Sequence, residues 1–315
     1  MKTRITCFGE LLIDMISTHA GSLAASKGFL KKFGGAPGNT AAGLAKLGVP
    51  ISFIGKVGND PFGTFLKTSL DTYGVDTKGL VVSKTDRTTL AFVSLTTTGE
   101  RDFYFYKGAH DTILPSEASI PSDTFLFHFG SLTQISVPAN KTTEKLVADA
   151  RKQGAIISYD PNVRESLWGE LHRARLVILD TAKKVDILKV NEEEASLLSK
   201  TDDIRNAANL LYSKNLDILV ITRGKLGCYY KTAKYEGEIS TIDVKVVDTT
   251  GAGDAFNAGF IYGLYKEKRR ANQLTKDELE GVLTRAVVIG SLTTMKKGAV
   301  SAFPTIKDID KYTKK

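Results

Sequence analysis

Short apolar runs rich in β-branched residues recur along the chain at 51–57, 124–129, 155–159, 185–190 and 218–221. They are apolar almost throughout, as in strands covered on both faces. Between them, residues 40–47, 139–152 and 204–214 carry apolar side chains at the three-to-four spacing of amphipathic helices. Strands alternating with helices in this way predict repeated βαβ units. The expected fold is α/β: a mainly parallel central sheet between two helical layers, a three-layer sandwich.

One region breaks the rhythm. Residues 88–96 and 102–106 cluster β-formers around Thr97-Thr98-Gly99-Glu100, where glycine can take the positive φ of a hairpin turn. The stretch 11–33 shows no clear helical spacing and carries Gly21 and Gly28, so it is a source of further strands for the same small element. Segments of about 11–33 and 86–108 therefore predict a small β-sheet lid on a single domain spanning residues 1–315. Toward the end, 283–292 is helix-like, Lys296-Lys297-Gly298 stops it, and 306–315 is a polar finishing segment.

Composition narrows the class. Hydrophobic residues make up 42% and charged residues 25%, an ordinary globular mixture that leaves no case for disorder or a coiled coil. The net charge of +8 would suit nucleic acid, but Lys and Arg are dispersed, with short clusters such as Lys268-Arg269-Arg270 and Lys314-Lys315. A solvated surface that helps gather small anions fits better, with no nucleic-acid partner. Cys7 and Cys228 lie inside strand-like stretches as packed thiols, and His19, His110, His128 and His172 lack zinc-ligand spacing. The apolar run 5–8 is too short for a signal-peptide core, and no stretch reaches the ~20 apolar residues of a membrane span. These features point to a cytoplasmic protein with no membrane contact.

The most informative stretch is Asp248-Thr249-Thr250-Gly251-Ala252-Gly253-Asp254-Ala255-Phe256, between a strand-like segment at 242–247 and a helix-like one at 255–265. Two glycines at a helix start let backbone N–H groups converge on an anion, and the helix dipole adds positive potential. The stretch is not a Walker A loop, and Phe256 stands where a dinucleotide fingerprint needs a small residue. A carboxylate at Asp254 would repel a resting pyrophosphate but is useful beside a phosphoryl group under attack by a hydroxyl. The helix N-terminus should keep it ionised and ready to accept a proton. The plainer alternative is that Asp254 only complements the dipole of the first turn.

A second glycine-rich stretch, Gly34-Gly35-Ala36-Pro37-Gly38-Asn39-Thr40-Ala41, also opens a helix. Its glycines permit close approach to a ligand, and Asn39 offers both a donor and an acceptor suited to a polyol. A tight turn with Asn39 or Thr40 as helix cap is the alternative.

Together and in this order, the two stretches resemble the paired motifs of the ribokinase-like (PfkB) carbohydrate kinases, and the likeness spans nearly the whole chain. The resemblance implies an α/β domain with a β-sheet lid and transfer of the ATP γ-phosphoryl group to a hydroxymethyl group. It implies that Asp254 is the base and that Gly251, Ala252 and Gly253 form the anion hole. Asp14, Gly34, Gly35 and Asn39 would then contact the sugar. Asn191 and Glu194, from Asn191-Glu192-Glu193-Glu194, would sit near the phosphates, with Glu194 reaching magnesium through water. Thr222, Gly224 and Gly227 would line the nucleotide.

Asp160-Pro161-Asn162-Val163-Arg164 resembles a motif of fructokinases and 2-keto-3-deoxygluconate kinases, which would bring Arg164 to the acceptor or the donor phosphates. Arg101, Phe103 and Tyr106 of the hairpin either cover the sugar or pack the sheet. Asp248, Thr250 and Ser301 resemble the segments that hold a monovalent cation, potassium, in relatives.

Within the family, Gly-Gly-Ala-Pro-Gly-Asn and Thr88-Thr89-Leu90-Ala91-Phe92-Val93 are most similar to fructokinases. The expected reaction is ATP- and magnesium-dependent phosphorylation of D-fructose to fructose 6-phosphate. 2-Keto-3-deoxygluconate kinase is the neighbouring alternative, and a non-catalytic sugar- or nucleotide-sensing protein the alternative of another class. The expected partners are the sugar and ATP, together with a second copy of the chain paired through the lid edge.

Overall fold

The computed structural model describes residues 2–95 and 101–313, with the side chains of 95 and 101–103 outside the described set. From the N-terminus the chain forms β1 (Arg4–Phe8), β2 (Leu12–Ser17), β3 (Phe29–Gly34), α1 (Ala36–Lys46), β4 (Ile51–Gly58), α2 (Pro61–Tyr73) and β5 (Asp76–Ser83). Next come β6 (Leu90–Leu95), β7 (Arg101–Tyr106), β8 (Thr124–Phe129), α3 (Val137–Lys152), β9 (Ile156–Tyr159), α4 (Glu165–Trp168), α5 (Leu171–Ala182) and β10 (Ile187–Asn191). The rest is α6 (Glu192–Ser199), α7 (Ile204–Leu211), β11 (Ile218–Thr222), β12 (Cys228–Lys231), β13 (Glu236–Ile239), α8 (Ala252–Glu267), α9 (Lys276–Thr293) and α10 (Ile306–Thr313).

Among the described residues, nine strands form one sheet in the order β13-β12-β11-β10-β9-β8-β1-β4-β5, parallel except where β12 and β13 fold back. Alternate side chains feed two cores, as the two-residue strand period requires. Ile5, Cys7, Ile187 and Val220 pack with Leu44 of α1, Ala258 of α8 and Leu283 of α9. Phe8, Phe129, Tyr159 and Leu188 pack with Leu146 of α3, Ile178 of α5 and Ala208 of α7. The sandwich expected from the apolar runs is therefore present, with Phe127, Phe129 and Tyr159 stacked in series at centroid distances of 5.4 and 4.7 Å.

The smaller sheet has the order β3-β2-β6-β7. Its first two strands leave the central sheet through residues 9–11 and return at Gly34 directly into α1. The second pair is tied down where it departs: Thr88 donates both its amide and its hydroxyl to the Asp60 carboxylate at 2.8 Å. Beside it, Thr89 Oγ1 lies 2.6 Å from His110 Nδ1. The predicted turn residues 97–100 lie outside the described residues.

Residues 242–247 differ from expectation, for they form no strand. Val246 and Val247 are at least half exposed, and the amides of Val247 and Asp248 both donate to Thr294 O at the end of α9. Their β-branched character serves a crossing loop instead of a ladder. Among the described residues no helix is long and apolar enough to cross a membrane.

Candidate active site

The C-terminal ends of β1, β9, β10 and β11 open onto the start of two helices, α1 and α8, where an α/β sheet presents its binding crevice. Helix α1 begins at Gly35, whose φ of 103° and lack of a side chain leave its first turn without a local cap. A Cβ at Gly35 would collide with the Glu10 carbonyl, and one at Gly34 with the Asp14 carboxylate. The cap comes from 26 residues away, since Glu10 Oε1 accepts the Ala36 N–H at 3.0 Å. Asn39, in the same first turn of α1, reaches across and donates from Nδ2 to Asp254 Oδ2 at 2.8 Å.

Helix α8 begins at Gly251, in the left-handed conformation with φ 78°, where a Cβ would stand 2.6 Å from that of Ala299. Asp254 occupies the first turn. One turn on, Asn257 Nδ2 donates to Asp160 Oδ2 at 2.6 Å, and Lys189 Nζ donates to the same oxygen at 2.9 Å. Lys189 Nζ also lies 3.3 Å from the place a Gly253 Cβ would take, so a buried ammonium backs the glycine turn. Of the three amides expected in the anion hole, Ala252 N–H is already engaged, donating to Thr249 O at 3.2 Å.

All these groups are buried: Glu10, Asn39, Asp160, Lys189, Glu194, Asp254 and Asn257 are each less than a tenth exposed. Burial raises Asp254 from an ordinary 3.8 to about 6 against the opposing Asn39 hydrogen bond, and the Asp160 charge adds to the rise. Desolvation is the largest cause and acts against ionisation, a contribution that its place at a helix start does not reveal. Burial, and then the Asp254 charge, push Glu10 up to about 7. For Lys189 burial acts downward, but Asp160 and Glu194 outweigh it and hold the ammonium above its usual range. Burial lowers His128, beneath the site, to about 4, so it is neutral.

The nucleotide-side residues meet at neighbouring strand ends. Asn191 Oδ1 accepts the Glu194 amide while Glu194 Oε2 accepts the Asn191 amide, both at 2.8 Å, a reciprocal cap on α6. Glu194 Oε1 takes the Val163 N–H at 2.6 Å and so fixes the 160–164 loop that carries Arg164. With both oxygens bonded to backbone, Glu194 fits contact with magnesium through water. Among the described residues no three His, Cys, Asp or Glu side chains gather as a ligand set, so such an ion would rest mainly on phosphate oxygens. Arg164 acts electrostatically on both Asp254 and Glu10, lowering each.

Thr222 Oγ1 donates to Val190 O at 3.3 Å, and Gly224, with φ 50°, faces open space. Gly227 is a glycine for a sheet reason: a Cβ there would collide with the Ile239 carbonyl of β13. The two segments expected around a monovalent cation are joined. Asp248 Oδ1 accepts the amide and hydroxyl of Thr250 at 2.9 and 2.7 Å, and Asp248 Oδ2 accepts the Gly298 amide at 2.9 Å, three residues before Ser301.

Of Arg101, Phe103 and Tyr106, only Tyr106 has a described side chain; those of Arg101 and Phe103 lie outside the described residues. Ala91 pairs with both Asp14 and Phe105, whereas Tyr106 pairs with Leu90. Paired residues share a face. Phe105 is thus on the Asp14 face, and Tyr106 is on the other, edge-on to Phe92 at 5.7 Å.

The chain matches the pfkB family carbohydrate kinases over residues 2–306. It belongs to that family. Probable fructokinase-3 of Arabidopsis thaliana is 40% identical over 313 residues, covering 96% of this chain and 89% of the relative. The crystal structure of fructokinase with bound ATP from Xylella fastidiosa superposes with a TM-score of 0.88 at 31% identity, covering 100% of this chain and 99% of that one. A fructokinase double mutant from Vibrio cholerae O395, in a fructose-, ADP- and potassium-ion-bound form, gives a TM-score of 0.89 at 28% identity, covering 99% and 98%.

Glu10, Lys189 and Asn257 escaped the sequence reading, and Asp160 entered it without a role of its own. A signal exists for two of them: Lys189 is a charge inside an apolar strand run and Glu10 one set between two apolar runs, and charged side chains are rarely buried without a specific reason.

The raised Asp254 value has a consequence for stability. The folded chain binds this proton more tightly than the unfolded chain does, so the contribution is complete below about pH 4 and is lost as pH rises through about 6. Asp254→Asn should therefore be more stable than the wild type at pH 8 by roughly 1–3 kcal/mol, with the gain mostly gone at pH 4.5. Urea denaturation at the two pH values measures this; equal or lower stability of the variant at pH 8 would contradict it.

Proposed function

We propose that this chain is an ATP-dependent fructokinase that converts D-fructose to fructose 6-phosphate with Asp254 as the general base. The observation that carries the reading is the Asn39–Asp254 hydrogen bond of 2.8 Å, set at the glycine turn of α8 with Lys189 behind it. It joins a hydroxyl-binding loop to a base and an anion-binding helix start. The fructokinase names of the relatives support the choice of sugar.

In this reading Asp14 and Asn39 hold sugar hydroxyls, and Asp254 takes the proton of the hydroxymethyl group as its oxygen bonds to the γ-phosphorus. The bond from that phosphorus to the bridging oxygen breaks, and ADP leaves. The backbone N–H groups of Gly251 and Gly253 and the Lys189 charge stabilise the phosphoryl oxygens. Arg164, carried by the loop that Glu194 fixes, adds positive charge over the transfer site. When bound, magnesium neutralises charge on the ATP phosphates, with Glu194 on its water shell. The small sheet acts as the lid that keeps water from the phosphoryl group. The segments around Asp248, Thr250 and Ser301 hold potassium.

The same lid carries Tyr104 and Tyr106, 57% and 58% exposed, on its outer face. A second copy of the chain covering them makes the protein a homodimer. Light scattering should give twice the chain mass of 34.2 kDa; a single chain mass at micromolar concentration would remove the dimer from the account.

The decisive assay is ATP consumption with D-fructose, 2-keto-3-deoxygluconate, ribose and adenosine, each run in potassium and in choline salts. Fructose should give the highest kcat/KM, and potassium should raise it. A better acceptor among the others would overturn the sugar assignment, and equal rates in the two salts would remove the potassium site.

A further inference from the structure

Glu10 stands just beyond β1 and is 3% exposed. Its Oε1 is satisfied by the Ala36 N–H, but its Oε2 is buried without a partner. On the helix turn that Glu10 caps, Asn39 Oδ1 is also buried without a partner, because Asn39 commits Nδ2 to Asp254. The charged groups facing this space are Asp254 from α8, Asp14 from β2 against Gly34, and Arg164 from the loop after β9. Asp160 and Lys189 stand behind Asp254.

An ionised carboxylate only accepts hydrogen bonds, whereas a neutral carboxyl also donates one. A buried acceptor left unpaired costs free energy, and two carboxylates held near one helix turn resist ionising together. One proton on Glu10 relieves both. We propose that Glu10 works as a neutral acid, a positioning residue whose Oε1 caps α1 and whose protonated Oε2 supplies the hydrogen missing from the turn that holds Asn39 against Asp254. The two carboxyl groups then divide their roles by environment. Burial raises both groups and the Asp254 charge raises Glu10 further, so the base ionises while its neighbour keeps its proton. When Glu10 ionises in turn, a second negative charge appears under the sugar loop and the hold on Asn39 loosens. The inference rests on the reading of Asn39 and Asp254 as the acceptor side of the site.

The experiment compares the wild type with Glu10→Gln and Glu10→Ala. Glutamine keeps an acceptor for Ala36 and carries a permanent donor, so it stands in for the neutral acid; alanine has neither. The KM for D-fructose is measured from pH 6 to 8.5. Wild-type KM should rise about three- to tenfold as Glu10 ionises. Glu10→Gln should remove the rise, and Glu10→Ala should show a KM raised about tenfold throughout. A wild-type KM flat across this range, or a glutamine variant as impaired as the alanine one, overturns the proposal. A second readout needs no sugar: in carbon-13 spectra of the unliganded, carboxyl-labelled protein, the Glu resonance missing from Glu10→Gln should titrate near 7. Titration in the ordinary carboxylate range refutes the neutral acid, whatever the acceptor sugar proves to be.

Discussion

The hydrogen bond from Asn39 Nδ2 to Asp254 Oδ2 spans 215 positions of sequence and joins the first turns of α1 and α8. Each helix is set by a glycine that no other residue could replace without collision, Gly35 against the Glu10 carbonyl and Gly251 against Ala299. The rest of the molecule bears on whether those two turns meet. The core under α1 and α8 holds the helices on one face of the sheet, and the loops beyond β1 and β9 bring Glu10 and Asp160 beneath them. A shift of about 1 Å between the turns would separate the 34–39 loop from Asp254, a displacement of the size to which catalysis is sensitive.

Beneath this contact lies a buried group of charges and amides: Asp160, Lys189, Asn257 and Glu194. Such groups are poor sources of net stability, because desolvation consumes much of what pairing returns. Their use here is geometric and electrostatic. Asp160 receives both Lys189 and Asn257, which orients α8 relative to β10, and Glu194 secures the loop that carries Arg164. Asp254, kept in the same dry space, acquires a proton affinity suited to a base near neutrality.

Local motifs were the legible part. The glycine turns, Asp254 and Asn39 are each encoded within a few residues, and the parallel sandwich is encoded in strand-length apolar runs. Features that depend on register or on distant partners were not. Tyr106 and Phe105 lie on opposite faces because one ladder position decides which way each points. Glu10, Lys189 and Asn257 become neighbours of the site only through the order of β1, β10 and α8 in space. Residues 242–247 carry strand-like composition but cross to the end of α9, since a free sheet edge beyond β13 is no guarantee of pairing. The charge state of Asp254 needed the burial of its surroundings as well as its place on the helix.

The central claim is that Asp254 takes the proton of the acceptor hydroxyl. Its most direct test is single-turnover phosphoryl transfer by Asp254→Asn under saturating sugar and ATP, alongside ATP binding by calorimetry. The transfer rate should fall at least ~100-fold with ATP affinity retained, the effect of removing a general base. A transfer rate close to that of the wild type would contradict it.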